Sequence, residues 1–97
     1  MATDSDNSTD NDNLNRLFIQ ASNNIKQYTD LTNEELLKLY GLYKQANFGV
    51  NTSNKPSIFN YRGLMKWKAW TNERRLTKEE AALEYINMVN KLLNNDT

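Results

Sequence analysis

The chain contains no cysteine and no histidine, one proline, three glycines and no apolar run longer than a triplet. Without cysteine there can be no disulfide, no thiol redox chemistry and no thiolate metal site. Without histidine the usual general base near neutral pH is missing, as is the commonest transition-metal ligand. Apolar triplets fall far short of the ~18 residues a membrane-spanning helix requires. The opening MATDSDNSTD has neither the basic n-region nor the apolar h-region of a signal peptide, and Ala2 is not the glycine that N-myristoylation needs. Gly41, Gly49 and Gly63 fit neither a Walker nor a dinucleotide loop. The serines and threonines have no His or Cys partner. The paired carboxylates Glu34–Glu35 and Glu79–Glu80 open predicted helices, where macrodipole and capping account for them. The expectation is a cytoplasmic binding protein with no catalytic residues, no cofactor and no metal.

What is there is a strong charge asymmetry. In 97 residues, twelve basic and twelve acidic side chains cancel, and the mean hydropathy is −0.84. Residues 1–13 carry four aspartates and no base. Residues 38–78 carry Lys38, Lys44, Lys55, Arg62, Lys66, Lys68, Arg74, Arg75 and Lys78 against Glu73 alone, a net +8. Such a block favours an anionic partner. The acidic segment 1–13 has almost nothing to bury and is expected to be a mobile tail, leaving one domain over 14–97.

Within that domain the helical period dominates. Leu14, Phe18, Ala21, Ile25 and Tyr28 form one stripe. A second helix opens at Thr32 with a capping box to Glu35 and an apolar stripe of Leu36, Leu39, Tyr40, Tyr43 and Ala46, with Gly49 as its stop. Residues 49–60 hold the proline and show no stripe, so they read as a long crossover. A third helix over 61–73 carries Lys-Trp-Lys-Ala-Trp, and a fourth opens with a second capping box, Thr77 to Glu80. No segment alternates with period two. The fold class predicted is all-α, a small four-helix bundle with one long crossover between the second and third helices.

The cationic block is also the aromatic one. Tyr40, Tyr43 and Lys44 share a helical patch, and Arg62 and Lys66 are four apart on the next helix. Rings beside cations suit a ligand with a stackable base and phosphates. Core packing is the expected role of Trp67 and Trp70.

Three segments carry a family resemblance. Tyr40-Gly-Leu-Tyr-Lys-Gln-Ala46 resembles the signature of the acyl-CoA-binding protein family. Tyr61-Arg-Gly-Leu-Met-Lys-Trp-Lys-Ala-Trp70 is similar to its aromatic–basic–Gly-x-x-Lys-Trp-x-Ala-Trp segment. Thr77-Lys-Glu-Glu-Ala81 with Tyr85-Ile86 resembles its last-helix entry, and Phe18, Ala21, Ile25 and Lys26 fit its first helix. The likeness spans residues 14–93. It implies that Tyr40 contacts the ligand, that the adenine lies on Tyr43, and that Lys44 and Lys66 hold the 3′-phosphate region. It further implies a first-helix phosphate contact from Lys26 and a last-helix contact from Tyr85, with Gly41 and Leu42 of the signature in the same ligand-binding set. Arg62 stands where the family often has Lys, which keeps the charge and permits bidentate phosphate binding. Leu64 stands where many members carry another Lys, and Lys68 where an acidic residue is common.

The resulting expectation is a monomeric pool former and carrier of long-chain fatty acyl-CoA, whose acyl chain would lie on an apolar floor of Leu36, Leu37 and Met65, with Met suited to varied chain lengths. It binds no nucleic acid and makes only transient contact with a membrane or an acyl-CoA-using enzyme. The rival is a basic helical nucleic-acid-binding module built on Lys-Trp-Lys-Ala-Trp and Arg74–Arg75. A membrane-surface helix is disfavoured, because no segment joins a wide apolar face to a strongly basic one.

Overall fold

Four helices account for most of the chain: α1 (Ala2–Ile25), α2 (Asn33–Phe48), α3 (Tyr61–Thr71) and α4 (Lys78–Asn94). The computed structural model describes the backbone of residues 2–94 and the side chains of residues 11–94. Among the described residues there is no strand. Of the acidic segment expected to be a mobile tail, the backbone of residues 2–13 lies within α1, and side chains are described from residue 11.

Local chemistry sets the helix boundaries. Thr32 and Glu35 exchange backbone-to-side-chain hydrogen bonds of 2.9 and 3.1 Å, the reciprocal capping box read from the sequence. Thr77 and Glu80 repeat it at the start of α4, at 2.9 and 3.0 Å. At the other end of α2, Gly49 adopts φ 78°, a backbone angle that costs other residues strain, and returns its N–H to the Gln45 carbonyl.

Packing is unequal among the helices. α4 lies against both α1 and α2, whereas, among the described residues, α3 packs on α2 alone. Phe18, Ala21 and Ile25 of α1 meet Leu39 and Leu42 of α2 and Ala81, Ala82, Tyr85, Ile86 and Val89 of α4 in one buried cluster. The apolar stripe expected for α2 needs correcting. Its buried residues are Leu39, Gly41, Leu42 and Gln45, while Leu36 and Tyr43 are exposed. The helix packs on two partners, so its buried arc is rotated toward both, and Leu36, Tyr40 and Tyr43 are left to border open space.

The crossover is fastened by the two tryptophans. Trp67 Nε1 donates to the Ser53 carbonyl at 2.9 Å, and Trp70 Nε1 to the Gly49 carbonyl at 2.8 Å. Asn51 Nδ2 donates to the Trp67 carbonyl and to Thr71 Oγ1. A long connection thereby satisfies backbone acceptors that no helix could reach. Gln45, almost fully buried, donates to the Leu76 carbonyl at 2.8 Å and ties α2 to the α3–α4 connection. Buried Glu73, in the same connection, accepts from Lys38 at 2.8 Å.

Candidate functional site

Between α1, α2 and α3 lies a cavity of about 800 Å³, a size ordinary for a small-molecule site. Three side chains of α1 and its C-terminal extension, Ile25, Lys26 and Tyr28, form one wall. Leu31 and Asn33 close one end, and Leu36, Leu37, Leu39, Tyr40 and Tyr43 of α2 form the base. The opposite wall is a strip of α3: Tyr61 and Met65 are four apart, as are Arg62 and Lys66, so all four project on one side. Tyr85 of α4 completes the lining.

Charge in this lining is of one sign. Among the described residues Lys26, Arg62 and Lys66 are its only ionic side chains, and no carboxylate is among them. The ammonium of Lys66 lies 5.5 Å from the centre of the Tyr40 ring, joining α3 to α2 across the wall. Beneath, Phe18, Tyr43 and Tyr85 form a ring cluster from three helices. Phe18 stacks on Tyr43 at 5.4 Å and tilts against Tyr85 at 5.0 Å, and Tyr43 and Tyr85 are 5.8 Å apart. Tyr43 is thus held from below by Phe18 while part of it stays exposed.

Burial, reinforced by the neighbouring Tyr43, pushes the Tyr85 hydroxyl up from 10.0 to about 12. The unfolded chain therefore releases this proton first, and the folded state loses stability as pH rises from about 10 toward 12. Two pKa units correspond to a loss of up to about 2–3 kcal/mol. In urea titrations across that range, Tyr85→Phe should remove this part of the alkaline loss. Equal slopes of stability against pH in both proteins would contradict it.

The structure gathers most of the residues singled out from the sequence and separates a few. Lys26, Tyr40, Tyr43, Arg62, Lys66 and Tyr85 line the cavity, as do Leu36, Leu37 and Met65. Gly41 and Leu42 do not. Leu42 is 1% exposed within the core, and Gly41 is buried where α2 meets the backbone of Ala69. Lys44 points away from the cavity. Its ammonium lies over the Phe48 ring at 4.5 Å and the Trp70 ring at 4.8 Å. The cavity also uses Tyr28, Leu31, Asn33 and Tyr61, which the sequence reading did not assign to a site. For Tyr61 the signal was available, since it shares its α3 face with Met65. For Asn33 there was none.

An apolar trough with aromatic walls and a cationic rim defines a binding protein for an amphiphilic anion. The comparisons give that class a family. The profile of the family described as Acyl CoA binding protein matches residues 15–89. The chain is 40% identical over 81 residues to the Acyl-CoA-binding protein of Saccharomyces cerevisiae, covering 82% of this chain and 93% of that one. It is 43% identical over 65 residues to Acyl-CoA-binding protein homolog 1 of Caenorhabditis elegans, covering 67% and 76%. The crystal structure of Oryza sativa Acyl-CoA-Binding Protein 2 superposes with a TM-score of 0.84 at 40% identity, covering 87% of this chain and 92% of that one. This chain belongs to the acyl-CoA-binding protein family. The family binds acyl-CoA esters and is not catalytic.

Proposed function

We propose that this protein sequesters long-chain fatty acyl-CoA esters as a monomeric cytoplasmic pool former and carrier. The observation that carries the reading is the cavity lining: apart from Asn33 and three cations it is apolar and aromatic, and among the described residues it holds no carboxylate. The adenine lies on the exposed part of Tyr43, which Phe18 backs, with the Tyr40 hydroxyl beside it. Arg62, Lys66 and Lys26 hold phosphate oxygens, and the guanidinium of Arg62 can take two at once. The acyl chain runs over Leu36, Leu37 and Met65.

Lys44 joins the 3′-phosphate region only by leaving Phe48 and Trp70. A cation–π contact at a partly exposed site is worth about 0.5–1 kcal/mol. A hydrogen bond to a charged group gives about 1.5–3 kcal/mol. The exchange favours the phosphate, so the resting position of Lys44 is compatible with a role in the complex.

At about 0.8 kcal/mol per buried CH₂, a 16-carbon chain offers at most about 12 kcal/mol. Association entropy and chain ordering take a large share of that. The nucleotide contacts supply the rest and the specificity. Palmitoyl-CoA at 100 times its Kd should therefore stabilise the fold by about 2.7 kcal/mol, read as a thermal shift. Equimolar palmitate should leave the site unsaturated, and duplex DNA at ~150 mM salt should give no shift. Stabilisation by DNA alone, or saturation by palmitate, would overturn the reading.

A further inference from the structure

The crossover ends in a turn whose corners carry the wrong residues for a solvent-facing turn. Ser57 and Asn60 close it with a 2.9 Å backbone hydrogen bond, and Ile58 and Phe59 occupy its two central positions. Turn corners normally take Gly, Pro, Asn, Asp or Ser. Here Phe59 is 93% exposed and Ile58 72%. The turn is fixed in shape. The Ser57 hydroxyl accepts from the Phe59 N–H at 3.1 Å, and Asn60 caps α3 by accepting from the Gly63 N–H at 3.1 Å. An ordered turn thus holds two large apolar side chains out in solvent.

The surroundings say what can cover them. Lys55 lies three residues before Ile58 and Arg62 three after Phe59, both exposed. From residue 36 to residue 72 the chain has six cations, Lys38, Lys44, Lys55, Arg62, Lys66 and Lys68, and no acidic residue. Two residues beyond Phe59, exposed Tyr61 begins the cavity wall, so the apolar tip is continuous in sequence with the mouth of the cavity. A Phe and an Ile together present roughly 300 Å², below the ~500 Å² that even a small specific protein interface buries on each partner. A lipid bilayer needs no shape complementarity to accept such a tip, and its anionic headgroups match the flanking cations.

We propose that the Ser57–Asn60 turn is a membrane-docking device. Ile58 and Phe59 enter the headgroup–acyl boundary of an anionic bilayer while Lys55 and Arg62 meet its headgroups, and the cavity mouth is brought against the lipid surface. This contact needs no bound ligand, so it stands apart from the proposed carrier role.

Sedimentation of the ligand-free protein with vesicles tests it. The wild-type protein should bind phosphatidylserine–phosphatidylcholine vesicles more strongly than phosphatidylcholine vesicles, and added salt should weaken that binding. Ile58→Ser with Phe59→Ser should lower partitioning onto the anionic vesicles by about tenfold or more. Both side chains are exposed and neither lines the cavity, so the thermal midpoint and palmitoyl-CoA binding in solution should stay at wild-type values. Lys55→Gln should weaken binding to the anionic vesicles only. Equal partitioning of the wild-type and double-serine proteins would overturn the proposal, as would absence of wild-type binding to anionic vesicles. The same would be found if the tip instead served a protein partner.

Discussion

Gly41→Ala is expected to destabilise the protein by about 3 kcal/mol, although alanine is the better helix former. The two effects oppose each other and their sizes decide the sign. Helix propensity favours Ala over Gly by about 1 kcal/mol. Against that, a Cβ at position 41 would lie 2.8 Å from the Ala69 carbonyl carbon and closer still to its oxygen. The obstacle is backbone, so no side-chain rotation relieves it, and α2 and α3 must move apart. Because, among the described residues, α3 packs on no other helix, separation there loosens the whole cavity wall that holds Tyr61, Arg62, Met65 and Lys66. For a domain of this size, 3 kcal/mol lowers Tm by about 12–24 °C. Thermal unfolding of Gly41→Ala beside wild type checks it, and an unchanged or raised Tm would show that the α2–α3 contact yields more easily than its geometry implies. Binding should fall with stability, because the wall and the contact are the same helix.

That glycine also shows where sequence reading reached its limit. Gly41 sits in a family signature, and the signature alone suggests a ligand contact. In the fold it permits a backbone approach, and its neighbour Leu42 is core. Local devices were fully legible. Both capping boxes formed as read, because each involves only residues three apart. The crossover was legible from its proline and its missing stripe. The inner face of α2 was not, because a core and the wall of a lipid cavity have the same apolar period. Leu36, Tyr40 and Tyr43 have helical spacing whether they meet side chains or a ligand. Trp67 and Trp70 were expected in the core. They serve packing, but through indole N–H bonds to carbonyls of an irregular segment, which no periodicity encodes. Lys44 is the converse case. The i,i+4 rule placed it with Tyr40, but Phe48, also four residues along, and Trp70 from α3 take its ammonium instead.

The largest effect on binding is expected from removing Arg62 and Lys66 together. Both line the cavity, on one strip of α3, and both are exposed, so alanine at either position leaves the core untouched. A hydrogen bond to a charged group is worth about 1.5–3 kcal/mol, and these two cations serve one ligand, so their losses couple rather than simply add. The double variant should bind palmitoyl-CoA about 3–4 kcal/mol more weakly, two to three orders of magnitude in Kd. Lys44→Ala should cost less than Lys66→Ala, because the Lys44 contact must first repay the cation–π pair it abandons. Lys78→Ala is the control. It comes from the same basic stretch of sequence but starts α4 outside the cavity, and should leave Kd within about twofold. Calorimetry on the four variants distinguishes a built site from a diffuse field. A general cationic surface would make all the lysines matter about equally, with one shared salt dependence. A site concentrates the loss on Arg62 and Lys66 and keeps most of it at high salt, where exposed charges elsewhere are screened. Equal losses from Lys44, Lys66 and Lys78 would mean that the rim attracts the ligand without holding its phosphates.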